Sequence, residues 1–190
     1  MGRNSIRALA GLWVLMIVAG MIVLTRHVAI AGTDVTTLTR WPARSAIARE
    51  PGRSTLLCFV HPRCACTRAT IRELERVVSR APGAAVRVVF RDDPDGDVTS
   101  APTWSMAARM AGARRVLDRG GLEASRLGAT TSGLVLLFDP EGALRFRGGV
   151  TSGRGHEGNN DGAAALESAL RGRPGARAWA RVFGCGLAEQ

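Results

Sequence analysis

The sequence predicts an α/β fold, a central mixed sheet flanked by helices, behind an N-terminal transmembrane helix. Three observations predict it. An uncharged apolar stretch of 18 residues, Ala8 to Thr25, lies between Arg7 and Arg26. Farther along, an apolar run, an amphipathic helical pattern and a second apolar run form a β-α-β unit, whose strands should be parallel and whose crossover right-handed. Beyond these, two apolar runs flank Pro140-Glu141-Gly142 as an antiparallel hairpin.

The apolar stretch comes first in the chain. At 1.5 Å per residue it covers about 27 Å, close to the ~30 Å hydrocarbon core of a bilayer. Ala29-Ile30-Ala31 offers a signal-peptidase type of site, but a signal core runs about 7 to 15 apolar residues, so the length favours an uncleaved anchor. Either reading exports the remainder of the chain. The expected place is a bacterial inner membrane, crossed once, with the domain facing the periplasm or the cell exterior. Arginines stand on both sides of the stretch, so the positive-inside count leaves the orientation open. Four cysteines suit an oxidising compartment.

The expected organisation is an anchor over 1–31, a linker over 32–53, a domain over 54–172 and a C-terminal tail over 173–190 carrying Cys185. Within the domain, Thr55 to Val60 reads as a buried strand. Thr67 to Arg80 reads as a helix, because Ile71, Leu74, Val77 and Val78 share one face. Ala85 to Phe90 is the second strand. The acidic run Asp92 to Asp97 lacks the terminal glutamate of a calcium loop, Trp104 standing there instead, and reads as a solvated turn. Pro102 to Ala113 is expected helical, Arg114 to Leu117 a strand and Gly121 to Leu127 a short helix. Leu134 to Asp139 and Ala143 to Gly148 form the hairpin. Asp161 to Arg171 is the closing helix, with Asp161 as its cap.

Composition removes several chemistries. All 26 cationic side chains are arginine and the chain has no tyrosine. Mechanisms that need a lysine amine, such as a Schiff base or a phosphate-loop lysine, are therefore excluded. The net charge of +10 is spread along the chain without a basic run, so nucleic acid is not an expected partner. Gly153-Arg154-Gly155-His156-Glu157-Gly158 fits G-x-G-x-x-G in letters only. No further strand with an acid about 20 residues on follows it, so no dinucleotide is expected.

The chemistry sits in HPRCACT, residues 61–67, between the first strand and first helix. Cys64 and Cys66 lie at or just before a helix N-terminus, where unpaired amides favour a thiolate. His61 and Arg63 are expected to add positive charge. Cys58, inside the strand run, reads as a small core residue. Cys185 lies in a tail 14 residues past the closing helix, long enough when extended to reach about 45 Å and return to Cys64 or Cys66.

This order of elements resembles the thioredoxin-like superfamily over residues 53–172, nearest its membrane-tethered members. HPRCACTRAT, the GATTSG segment, GGVTSGRGHEGNN and the terminal VFGC look like a bacterial group sometimes labelled RedB. The resemblance implies that Cys64 is the attacking cysteine. Two departures accompany it. The resolving position of the superfamily, three residues on, holds Thr67, while Cys66 lies two on in a C-x-C arrangement whose disulfide would be strained. The cis-proline expected before the hairpin is replaced by Gly133, after Thr131 and Ser132. In such a sheet the loop carrying Arg154 and His156 should lie beside Cys64.

The leading expectation is therefore a membrane-anchored, extracytoplasmic thiol-disulfide oxidoreductase. Cys64 attacks a substrate disulfide and Cys66 or Cys185 resolves it, with a protein dithiol or disulfide as partner and no cofactor. The alternative is a metal-binding protein, copper-chaperone-like, with Cys64, Cys66, Cys185, His61 and His156 as ligands for Cu(I) or Zn. A thiol peroxidase is the lesser alternative.

Overall fold

The computed structural model describes residues 2–32, 37–93, 96–173 and 177–187. The chain forms two units, residues 1–30 and 31–190. The first is a single helix, α1 (Arg3–Ala29), long and apolar enough to cross a membrane. Its large apolar side chains, Trp13, Leu15, Val23 and Leu24 among them, are exposed. An apolar surface of that kind is compatible with a membrane anchor or a signal sequence.

The second unit runs β1 (Thr55–Val60), α2 (Ala65–Arg80), β2 (Ala85–Arg91), α3 (Pro102–Arg109), β3 (Ala113–Asp118), α4 (Leu122–Arg126), β4 (Leu134–Phe138), β5 (Leu144–Gly148) and α5 (Asp161–Leu170). Short 3-10 turns precede α3 and α4. The five strands form one sheet in the order β3-β2-β1-β4-β5. β1, β2 and β3 are mutually parallel, whereas β4 runs antiparallel to β1 and β5 antiparallel to β4. Alternation along the buried strands sends Leu56, Cys58, Val60 and Val88 to one face, packed with Ile71 and Leu74 of α2 and Leu166 of α5. Leu57, Phe59, Val89 and Leu136 face the other side, with Leu127 after α4 and Ile47. Both faces are covered, so the central strands read as continuous apolar runs without a polar face.

Several boundaries differ from expectation for local reasons. α2 begins at Ala65, two residues early, because the Cys64 amide bonds the His61 carbonyl and the Thr67 amide bonds the Cys64 carbonyl, closing the first turn. α3 stops at Arg109 rather than Ala113. The helix leaves its path at the extended C-cap Met110, and Gly112, with φ +72°, closes the turn that launches β3 at Ala113. The cap of α5 is Asn160, not Asp161. Asn160 is extended and its side-chain oxygen accepts from the Ala163 amide at 2.8 Å, while Asp161 is already the first helical residue.

The C-terminal segment, expected as a free-reaching tail, is instead laid along the domain. Residues 178–180 pair with Arg147 on the open side of β5. Farther on, the Ser132 amide donates to the Cys185 carbonyl at 2.8 Å and the Leu187 amide to the Thr130 carbonyl at 2.8 Å. Val182 and Leu187 are buried, and Arg91 at the end of β2 donates to the Leu187 carbonyl. The segment before β1 is also bound to the domain, through Ser45 and Ala46 on the Glu123 carboxylate.

Candidate active site

The site lies where β1 gives way to α2. The parallel β1-α2-β2 path leaves the strand end and the helix N-terminus on the same edge, so the intervening His61-Pro62-Arg63-Cys64 is a tight connection and Cys64 becomes the N-cap of α2. Two hydroxyls brace this turn. Thr67 Oγ1 donates to the His61 carbonyl at 2.9 Å, Ser132 Oγ accepts the His61 amide at 3.0 Å, and the two hydroxyls lie 3.1 Å apart. Thr67, in the position the resemblance assigns to a resolving cysteine, is therefore a strut.

The 130–133 segment performs the second task. Gly133 has φ +97° and its amide donates to the Phe59 carbonyl at 2.7 Å. A side chain there would be strained, and its Cβ would stand 3.2 Å from Thr70 Oγ1. All peptide bonds among the described residues are trans. The turn thus reaches β4 through glycine rather than through a cis-proline. It leaves the Ser132 amide directed outward, and that amide takes the Cys185 carbonyl.

As a result Cys185 Sγ stands 2.8 Å from Cys64 Sγ, across 121 positions of sequence. Cys66 joins them from the first turn of α2. Burial raises the Cys64 thiol, but hydrogen bonding to the Cys185 side chain and amide, and to Cys66, brings it below its ordinary value. Its partners move the other way. Burial, then the interaction with Cys64, raises Cys66, and the same causes push Cys185 up to about 12. One negative charge thus concentrates on Cys64, at the helix end whose amides favour it. Cys58 is wholly buried and burial pushes it up to about 12, which makes it an inert core thiol.

The cation near the sulfurs is Arg154. It lowers Cys66 and Cys185 electrostatically, and the Gly155 amide hydrogen-bonds Cys66. The loop is moored by buried Glu73 of α2, which accepts the Gly158 amide at 2.5 Å, and by Glu157 on Arg72 at 2.7 Å. Arg63, expected to add charge at Cys64, turns its guanidinium to Asp93 at 2.6 Å. His61 does not supply a cation either. Burial lowers its pKa, and its Nδ1 accepts the Arg63 amide at 3.2 Å. His156 is exposed, with Nδ1 3.3 Å from the Arg154 carbonyl.

The structure therefore brings Cys64, Cys66, Cys185 and Arg154 together, with Gly133 supporting the turn. The two histidines are turned to backbone groups, and among the described residues no three His, Cys, Asp or Glu side chains form a cluster suited to a metal ion. Ser132, Thr67, Gly155, Glu73 and Arg91 were not singled out by the sequence for their roles. Each acts through a hydrogen bond that has a backbone group on one side, which no spacing pattern records.

No protein-family model and no curated protein matches the chain. Among solved structures it is similar to a hypothetical protein from Sinorhizobium meliloti, 19% identical with a TM-score of 0.59, over 83% of this chain and 93% of that one. An uncharacterized conserved protein from Geobacillus kaustophilus is 16% identical with a TM-score of 0.59, over 85% and 93% of the two chains. A secreted Mycobacterium tuberculosis disulfide oxidoreductase homologous to E. coli DsbE is 14% identical with a TM-score of 0.45, over 64% and 83%. What the two structures with TM-scores of 0.59 share with this chain is architecture. The order β3-β2-β1-β4-β5, with β1 to β3 parallel and β4 and β5 antiparallel, is the thioredoxin-like arrangement.

Proposed function

We propose that the protein is a membrane-anchored, extracytoplasmic thiol-disulfide oxidoreductase, single-pass in a bacterial inner membrane, that works through Cys64 and Cys185. HPRCACTRAT and VFGC, which supply these two sulfurs, are two of the four segments that resemble the group labelled RedB. The observation that carries the reading is the 2.8 Å approach of the two sulfurs. Two thiolates on one tetrahedral Zn or Cu would stand about 3.8 Å apart, given metal–sulfur bonds near 2.3 Å. The observed approach suits bond formation between the sulfurs better than shared ligation.

The reaction runs in two displacements. The Cys64 thiolate attacks one sulfur of a substrate disulfide, forms a mixed disulfide and expels the other sulfur as a thiolate. Cys64 then carries no charge, so two of the causes that hold Cys185 up vanish while Arg154 remains. Cys185 gives up its proton, attacks Cys64 Sγ and expels the second substrate thiolate, which takes up a proton. The substrate gains two electrons and the protein ends as a Cys64–Cys185 disulfide. Before the first displacement Cys66 is held protonated by burial and by the neighbouring Cys64 charge, and its hydrogen bond helps keep that charge on Cys64.

The test is to oxidise the full-length protein in detergent and map its disulfides, with metal content measured on the same sample. A Cys64–Cys185 bond with two remaining thiols is expected. Four thiols retained under oxidation together with stoichiometric copper or zinc would replace this reading with metal binding.

A further inference from the structure

The two sulfurs open on different surroundings. Cys64 is only 4% exposed, and it lines a cleft of about 470 Å³ together with Pro62, Arg63, Arg68, Asp97 and Thr103. Neither Cys66 nor Cys185 is among the residues lining that cleft. Cys185, in contrast, is exposed. Beside it Gly186 is also exposed, with nothing within 4 Å of where a Cβ would stand. The tail around it is fixed by its pairing with Thr130 and Ser132, so this exposure belongs to a held strand.

Displacement at sulfur sets the three sulfurs near a line. When Cys185 attacks Cys64, the substrate sulfur must leave on the side of Cys64 away from Cys185, and the cleft without Cys185 provides that space. The return reaction has the opposite requirement. A thiol that reduces the Cys64–Cys185 bond must reach one of the two sulfurs, and Cys185 is the exposed residue of the pair. Resting on the oxidoreductase reading above, we propose that the protein serves two partners at two sulfurs: the oxidised substrate meets Cys64 through the cleft, and an external dithiol reductant attacks Cys185.

The electrons balance in each step. A reductant thiolate bonds to Cys185 Sγ, the Cys64–Cys185 bond breaks and its electron pair leaves on Cys64 as a thiolate. The better-stabilised thiolate is the faster leaving group, which favours the same direction. The second thiol of the reductant, losing its proton, attacks the reductant's own sulfur in the new mixed disulfide. Cys185 leaves and is protonated, the reductant closes its disulfide and the protein regains both thiols. The bare glycine at 186 leaves room for the backbone of a protein-sized reductant. Cys64, 4% exposed within its cleft, offers less of itself to such an approach.

Two full-length variants in detergent test this, both with Cys66→Ser so that no neighbouring thiol intercepts. Cys64→Ser is loaded at Cys185, and Cys185→Ser at Cys64, with 5-thio-2-nitrobenzoate as a mixed disulfide. Dithiothreitol then attacks the protein sulfur and releases the coloured thiolate, so the release rate reads access to each sulfur. Release from Cys185 is expected at least about tenfold faster. Equal release, or faster release from Cys64, would overturn the two-partner assignment while leaving intact an oxidoreductase whose wild-type form makes the Cys64–Cys185 bond. Failure of the wild type to make that bond would overturn both.

Discussion

The Ser132 amide donates to the Cys185 carbonyl at 2.8 Å, and with the Leu187 amide on the Thr130 carbonyl this bond joins the turn before β4 to the C-terminal segment that carries the second sulfur. Because the Ser132 hydroxyl also accepts the His61 amide, one residue holds both approaches to the sulfur pair. The geometry of Cys64 and Cys185 therefore depends on how closely the two backbones meet.

Gly184 is the point of closest approach. A Cβ there would stand 1.8 Å from the Ser132 carbonyl oxygen and 2.8 Å from its carbon, both backbone atoms that have little freedom to move. Gly184→Ala is expected to lift the strand, cost about 1–3 kcal/mol of stability and slow Cys64–Cys185 bond formation. Gly186→Ala meets nothing within 4 Å and should leave both close to wild type. Denaturant unfolding and timed thiol trapping measure the pair, and equal effects of the two substitutions would contradict the docked strand.

Removing the resolving thiol should arrest the reaction midway. Cys185→Ser is expected to accumulate a mixed disulfide between Cys64 and a model disulfide substrate, visible by mass, whereas the wild type releases it. Cys66 gives a poor substitute, since a C-x-C bond would be strained. Rapid release in the variant would show that Cys66 resolves after all.

The thiol pKa directions set a pH order. Cys64 lies below the ordinary thiol value, so its thiolate persists to lower pH than that of an unperturbed cysteine. It is lost only below its own lowered value. Cys58 and Cys185, each pushed up to about 12, stay protonated across neutral pH. Alkylation with peptide mapping should label Cys64 at the lowest pH and leave Cys58 unlabelled until the protein unfolds. Labelling of Cys185 ahead of Cys64 at neutral pH would reverse the assignment of the charge.

Arg154 acts on the resolving side. It lowers Cys66 and Cys185, whereas the leading causes of the Cys64 shift are burial and hydrogen bonds to Cys185 and Cys66. Arg154→Gln should slow release of the second substrate thiol by about three- to tenfold while leaving the pH profile of Cys64 alkylation in place. A loss of loop structure alone would not separate the two readouts in that way.

The N-terminal helix gives a prediction of its own. Its length against the bilayer core favours retention, so the full-length protein should stay with membranes through alkaline carbonate washing. A soluble product beginning at Gly32 would instead identify cleavage after Ala31.

The sequence by itself determined the strand and helix order, because apolar runs such as Thr55 to Val60 and the face made by Ile71, Leu74 and Val77 are local periodicities set by burial. It also determined that Cys64 sits at a helix N-terminus, since HPRCACT lies between a strand and a helix, and that the stretch before Thr33 is apolar enough for a membrane. Only the tertiary structure decided which sulfur faces Cys64. The choice of Cys185 comes from backbone pairing of residues 130–132 with 185–187, and backbone amides carry no signature in side-chain spacing. The same holds for charge: Arg63 and His61 stand beside the cysteines in the chain, yet one turns to Asp93 and the other is neutralised by burial. The cation that reaches the sulfurs is Arg154, from a loop moored by Glu73 at a distance that only folding brings within hydrogen-bond reach. Sequence neighbours share a chain position, whereas electrostatics acts through space, and the fold alone converts one into the other.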